Sequence, residues 1–104
     1  MPPRRAFSIL VTVQPAGSNV KYSGMSSDFS ENGMGFVCTE LFEKGRKLLI
    51  MFVNPKNRTR FQLAAEVIRT MSKGDGRSVF YGVRFIGASV QEREDLLRFI
   101  TGSE

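Results

Sequence analysis

The sequence predicts a mainly β protein, a small antiparallel β-barrel of about six strands carrying one C-terminal α-helix. Three observations predict it. Short segments with apolar residues at every second position recur along the chain, and clusters of Gly, Pro, Asn and Asp separate them at hairpin spacing. The period changes to that of a helix only after Ser89. The 104 residues suffice for one modest core and contain no linker, internal repeat or low-complexity tract, so residues 1–104 read as a single domain.

Residues 1–6 read as a flexible, arginine-bearing tail, because Pro2 and Pro3 discourage regular structure ahead of Arg4 and Arg5. Phe7, Ile9, Val11 and Val13 then alternate with Ser8 and Thr12, which predicts a strand from Phe7 to Gln14 with the first set inward. Residues 15–19 supply a turn. A weaker strand follows from Val20 to Met25, and residues 34–39 are strand-like after an intervening polar loop. Leu41 and Phe42 give an apolar anchor before a turn at Gly45.

Lys47 to Val53 is apolar on both faces after its lysine, as suits a strand covered on both sides. Asn54-Pro55-Lys56-Asn57 ends it. Phe61, Leu63, Ala65 and Val67 mark the buried face of the next strand, residues 72–76 close a hairpin, and Val79, Tyr81, Val83 and Phe85 face inward on its partner. Phe80, Gly82 and Arg84 fall on the opposite face. A helix over residues 89–101 opens with a capping box formed by Ser89 and Glu92, carries Leu96, Leu97 and Ile100 on its apolar side, and ends at Gly102.

Composition narrows the chemistry. With no histidine, imidazole triads and histidine metal sites are impossible, and Cys38 alone cannot build a thiolate cluster or an internal disulfide. No paired carboxylates and no phosphate-binding loop opening a helix offer a nucleophile, base or metal site, so the expectation is a non-enzymatic protein without cofactor or metal. No apolar run is long enough to span a bilayer and no leader pattern begins the chain, which makes the cytoplasm the default. The net charge is +5, and residues 44–84 hold ten basic residues against two acidic ones. Such a field favours anionic partners, although exposed strand faces explain it equally well.

Residue type and spacing together suggest chemistry in one stretch, Asp28-Phe29-Ser30-Glu31-Asn32-Gly33-Met34-Gly35-Phe36. A carboxylate, a hydroxyl two residues on and a glycine three further on can read donors and anions closely. The same residues also make ordinary turns: Asp28 as a cap, Ser30 bonded to backbone and Gly33 at positive φ.

Asp28-x-Ser30-x-x-Gly33 followed by Met34-Gly35-Phe36 resembles the D/N-x-S-x-x-G signature of PilZ domains, small bacterial β-barrels many of which bind the second messenger cyclic di-GMP. Flanking features fall in the family's order: an arginine-bearing N-terminus, a Val-x-Val strand at Val11 and Val13, the Gly45 turn, Tyr81-Gly82-Val83-Arg84-Phe85 and a closing helix. The resemblance implies a cyclic di-GMP receptor or adaptor that signals to a protein partner. It implies ligand contacts from Arg4, Arg5, Asp28, Ser30 and Gly33, with Ser8 as a weak addition.

One part of the pattern departs from the family. The ligand is held there by two arginines spaced R-x-x-x-R, because guanidinium forks read guanine edges or phosphates two bonds at a time and stay charged. At that spacing Arg5 pairs with Met1 and Arg4 with Ser8. Aligning Val11 and Val13 makes Arg4 the second arginine and puts the first before Met1. Loss of one such contact costs about 2 to 4 kcal/mol. Two alternatives therefore stand beside the receptor: a degenerate PilZ-like interaction module in motility or pilus assembly that ignores the nucleotide, and a basic surface for polymeric nucleic acid. The last ranks third because most aromatic residues are expected inward, away from the charges.

Overall fold

The computed structural model describes residues 4–6 and 8–102. Seven strands precede one helix: β1 Arg4–Ala6, β2 Leu10–Pro15, β3 Tyr22–Ser30, β4 Gly33–Cys38, β5 Lys47–Val53, β6 Arg60–Ser72, β7 Val79–Phe85 and α1 Val90–Thr101. Every pairing is antiparallel, and six strands close a barrel in the order β3-β2-β5-β6-β7-β4 because β4 pairs back onto β3. Closure removes the open edges that a sheet of this size would otherwise expose. The extra strand, β1, lies on β3 beyond the end of β2.

Alternation builds the interior. Val11, Val13, Phe36, Ile50, Leu63, Ala65, Val67 and Tyr81 all point inward and are buried, as the period-two pattern predicts. Leu96, Phe99 and Ile100 of α1 cover an end of the barrel. Phe99 meets Phe29 edge-on at 4.9 Å between ring centroids, and Phe52 stacks on Phe61 at 4.7 Å. Such aromatic pairs add about 0.5 to 1.5 kcal/mol each beyond the area they bury. The helix is capped as its sequence predicts: Glu92 N–H donates to Ser89 Oγ, Ser89 N–H donates to the Glu92 carboxylate, and Gly102 turns left-handed at φ 78°.

Four local expectations change. Residues 4–6, read as part of a flexible tail, form a strand because their backbone pairs with residues 28–30; residues 1–3 and Phe7, which the sequence places inward, lie outside the described residues. Asp28, Phe29 and Ser30, read as a loop, are the end of the nine-residue β3, so that only Glu31 and Asn32 connect it to β4. Val20 precedes the strand and is exposed. In the fourth, β6 runs on through Ser72 and holds a bulge between Val67 and Arg69.

Candidate functional site

The β3–β4 hairpin owes its tight turn to Ser30. Its Oγ accepts the N–H groups of Gly33 at 3.2 Å and Asn32 at 3.3 Å, and the hydroxyl donates to the Gly33 carbonyl at 3.3 Å. Gly33 is required by packing and has no positive φ. A Cβ on it would collide with the Val83 carbonyl oxygen of β7. A neighbouring strand thus comes close to Gly33, and Ser30 and Gly33 each carry a structural task.

Asp28 stands two residues before Ser30, across the strand from Gly35. Its Oδ1 accepts from Ser27 Oγ at 3.3 Å. A Cβ on Gly35 would lie 2.7 Å from Asp28 Oδ1, from Phe80 Cζ and from Ser27 Oγ, so the missing side chain leaves room for all three.

The register brings the N-terminal segment to this hairpin. Arg4 pairs with Ser30 and Ala6 with Asp28, while Arg5 pairs with Phe29, which is buried toward α1. Accordingly Arg5 is directed to the end of α1, where it lines a cavity of about 200 Å3 with Asn54, Lys56, Arg98 and Phe99. A Cβ on Gly102 would lie 2.9 Å from Arg5 Nη1 and 3.7 Å from Lys56 Nζ. Positive charge there complements the helix C-terminus. Thus Asp28 and Ser30 come together with the position of Arg4, and the Arg5 guanidinium goes elsewhere.

Arg4 is followed at the required spacing by Ser8, which is exposed, and Arg5 by Ile9. Ile9 is fixed by Ser26: its N–H donates to Ser26 Oγ at 2.9 Å and its carbonyl accepts the Ser26 N–H at 3.0 Å. An arginine pair is therefore not assembled within the N-terminal segment that is described.

Two rows cross the outer barrel wall beside the hairpin. One runs Asp28, Gly35, Gly82, Arg69 across β3, β4, β7 and β6; the next runs Gly33, Arg84, Glu66. Between them lies an open groove of about 430 Å3 touched by Ser30, Gly33, Arg69, Gly82 and Arg84. Arg69 stands 5.8 Å from the centre of the Phe80 ring, and Arg84 Nη2 donates to Glu66 Oε1 at 2.6 Å. That bond holds the Glu66 carboxyl below its usual range against a weaker opposing effect of desolvation. A third row, Leu10, Met25, Val37, Phe80, Met71, is apolar and largely solvent-facing.

Alternation had already put Phe80, Gly82 and Arg84 on the outer face. It gave no sign of Arg69, whose place depends on the bulge. Among the described residues, no group of three or more Cys, Asp or Glu side chains is arranged as a metal site, and no helix is long and apolar enough to cross a membrane.

Comparison with solved structures finds the same architecture. The Bacillus subtilis inhibitor of motility MotI/DgrA superposes with a TM-score of 0.83 at 16% identity over 98% of this chain, which spans only 49% of that protein. The PilZ domain of YcgR from Escherichia coli, solved with c-di-GMP, gives 0.72 at 19% identity, covering 95% of this chain and 86% of that one. The PilZ domain of CeSA from a cellulose-synthesizing bacterium gives 0.70 at 20% identity and covers 95% of both. At these identities the likeness is one of fold. No curated protein sequence matches this one. A family model for the PilZ domain matches residues 2–102, and with that span, the closed barrel and the Asp28-x-Ser30-x-x-Gly33 hairpin in place, the chain belongs to the PilZ domain family.

Proposed function

We propose that this chain is a non-enzymatic cytoplasmic receptor and adaptor that takes cyclic di-GMP on the outer face of the β3–β4 hairpin and passes that state to a protein partner. The observation that carries the reading is the register of β1, which sets Arg4 against Ser30 and Ala6 against Asp28. An anionic dinucleotide lying there meets the Asp28 carboxylate as an acceptor for guanine N–H groups, beside the register position of Arg4. Ligand-bound YcgR supports the nucleotide, and the motility inhibitor supports an adaptor role, each by likeness of fold. The apolar outer row beside the hairpin is the surface on which bound nucleotide would alter partner contact.

Calorimetric titration of the chain with cyclic di-GMP, with GTP as a specificity control, tests this. Saturable binding that weakens in Asp28→Ala supports the receptor. Absence of heat, with an unchanged melting temperature at high ligand, rejects it.

A second reading keeps the fold and discards the nucleotide. It is favoured by the position of Arg5 at the helix end and by Ser8 and Ile9 where second arginines would stand. Partners captured equally with and without nucleotide, and equally by Asp28→Ala, would select it.

A further inference from the structure

Gly82 occupies the middle of β7, and nothing in the fold demands a glycine there. Its φ is not positive, and a Cβ on it would lie no closer than 3.5 Å to any neighbour, the nearest being Arg69. By contrast, Gly33 is forced by the Val83 carbonyl, and a Cβ on Gly35 would displace the side-chain ends of Asp28, Phe80 and Ser27. Glycine inside a strand forgoes cross-strand side-chain contact and weakens the strand, and it marks a bulge or a place where a ligand or another backbone approaches closely. Gly82 is in register with Gly35 on one side and Arg69 on the other.

Gly82 also faces a bulge in β6. Between Val67 and Arg69 the register slips by one residue, which leaves Ile68 exposed and brings Arg69 opposite Gly82. Bulges recur beside binding sites because they re-aim a side chain in this way. Without the slip, Ile68 would take the register position that Arg69 holds. The re-aimed guanidinium lies near the Phe80 ring, and Arg84 stands two residues along from Gly82, in register with Gly33. Its bond to Glu66 occupies one of the five N–H donors on the Arg84 guanidinium.

Resting on the receptor reading above, we infer that Arg69 and Arg84 are the guanidinium pair of this chain's cyclic dinucleotide site, reaching the ligand from the barrel wall over a Gly82 floor. Two permanently charged forks suit the phosphodiesters and guanine edges of such a ligand, and the Phe80 ring with the Arg69 plane suits a purine face. Asp28 and Ser30 stand at the opposite side of the same rows. The arrangement provides from β6 and β7 the arginine pair that the spacing of Arg4 and Arg5 does not.

Calorimetry on the full chain with cyclic di-GMP decides the matter. Arg69→Ala and Arg84→Ala should each weaken binding about thirtyfold, with Arg69→Lys also weakened because an ammonium lacks the planar fork. Gly82→Val should weaken binding by filling the groove while the melting temperature holds. Lys73→Ala, on the nearby exposed hairpin, should stay within about twofold and so exclude a general charge effect. If the parent binds and both alanine variants bind equally well at unchanged melting temperature, the pair is wrong and the receptor reading survives. If the parent does not bind, both readings fall.

Discussion

The Tyr81 hydroxyl donates to the Glu40 carbonyl at 2.7 Å and, from the same oxygen, accepts the Phe42 N–H at 2.8 Å. One side chain on β7 thus ties down the segment between β4 and β5, forty residues away in sequence but adjacent at the barrel wall. Its ring packs on Phe36 and Phe42 at centroid distances of 5.4 and 5.3 Å.

Tyr81→Phe keeps the ring and strips two backbone groups of their partner. An unsatisfied buried polar group costs about 1 to 3 kcal/mol, so urea denaturation should show a stability loss in that range. An unchanged midpoint would mean that the 40–42 segment finds water instead. Burial pushes the phenol above its ordinary value despite the opposing Phe42 bond. A raised folded pKa contributes stability below the unfolded pKa, near 10, that is lost as pH rises through the folded one. The parent should therefore lose stability at strongly alkaline pH more steeply than Tyr81→Phe.

Two glycines distinguish packing from flexibility. Gly33→Ala places a Cβ against the Val83 carbonyl, where backbone on both strands must give, and should cost about 3 kcal/mol in thermal or chemical unfolding. Gly74→Ala, in the β6–β7 turn, meets nothing within 4 Å and needs no positive φ. It should be neutral or gain about 0.4 to 1 kcal/mol through a less flexible unfolded chain. Comparable losses at both positions would refute the close approach of β4 and β7.

The barrel and helix were legible because burial and alternation coincide: Phe61, Leu63, Ala65 and Val67 are inward as the period requires, and Ser89 with Glu92 caps the helix. What the sequence did not reveal depends on register. Asp28 and Ser30 look like a loop in the chain, yet pairing with both β1 and β4 makes them strand. Two prolines make residues 1–6 read as unstructured, yet residues 4–6 form strand, since local preference contains no term for the ladder that residues 28–30 offer. Arg5 and Arg69 are the sharper cases. A single step of alternation sends Arg5 to the helix end, and a one-residue bulge swings Arg69 to Gly82.

Acid should loosen two carboxylates, the half-buried Glu66 and the exposed Asp75, whose hydrogen bonds hold them below their usual range. Arg84 is the principal cause at Glu66; at Asp75 the backbone N–H groups of Ser78 and Arg77 are, at 2.9 and 2.8 Å. A depressed folded pKa gives stability that is present above the unfolded value, near 4, and lost as pH falls through the folded one. The urea midpoint should drop between about pH 5 and pH 2, with a shallower acid limb in Glu66→Gln and Asp75→Asn. Limbs of identical slope would show that neither bond persists in solution.

Arg5 and Asp28 offer the most direct test of how the register distributes the N-terminal arginines. Because Arg5 pairs with Phe29, its guanidinium lies at the end of α1 beside Lys56, whereas Asp28 stands on the outer wall. Arg5→Ala should leave cyclic di-GMP affinity within about twofold and shift stability modestly through the helix terminus. Asp28→Ala should weaken the same titration about tenfold or more, the scale of a lost charged hydrogen bond. The contrast has a clear opposite. If Arg5→Ala abolishes binding and Asp28→Ala does not, the placement of Arg5 at the end of α1 does not describe the ligand-bound state, and the assignment of the site to the outer face of the hairpin falls.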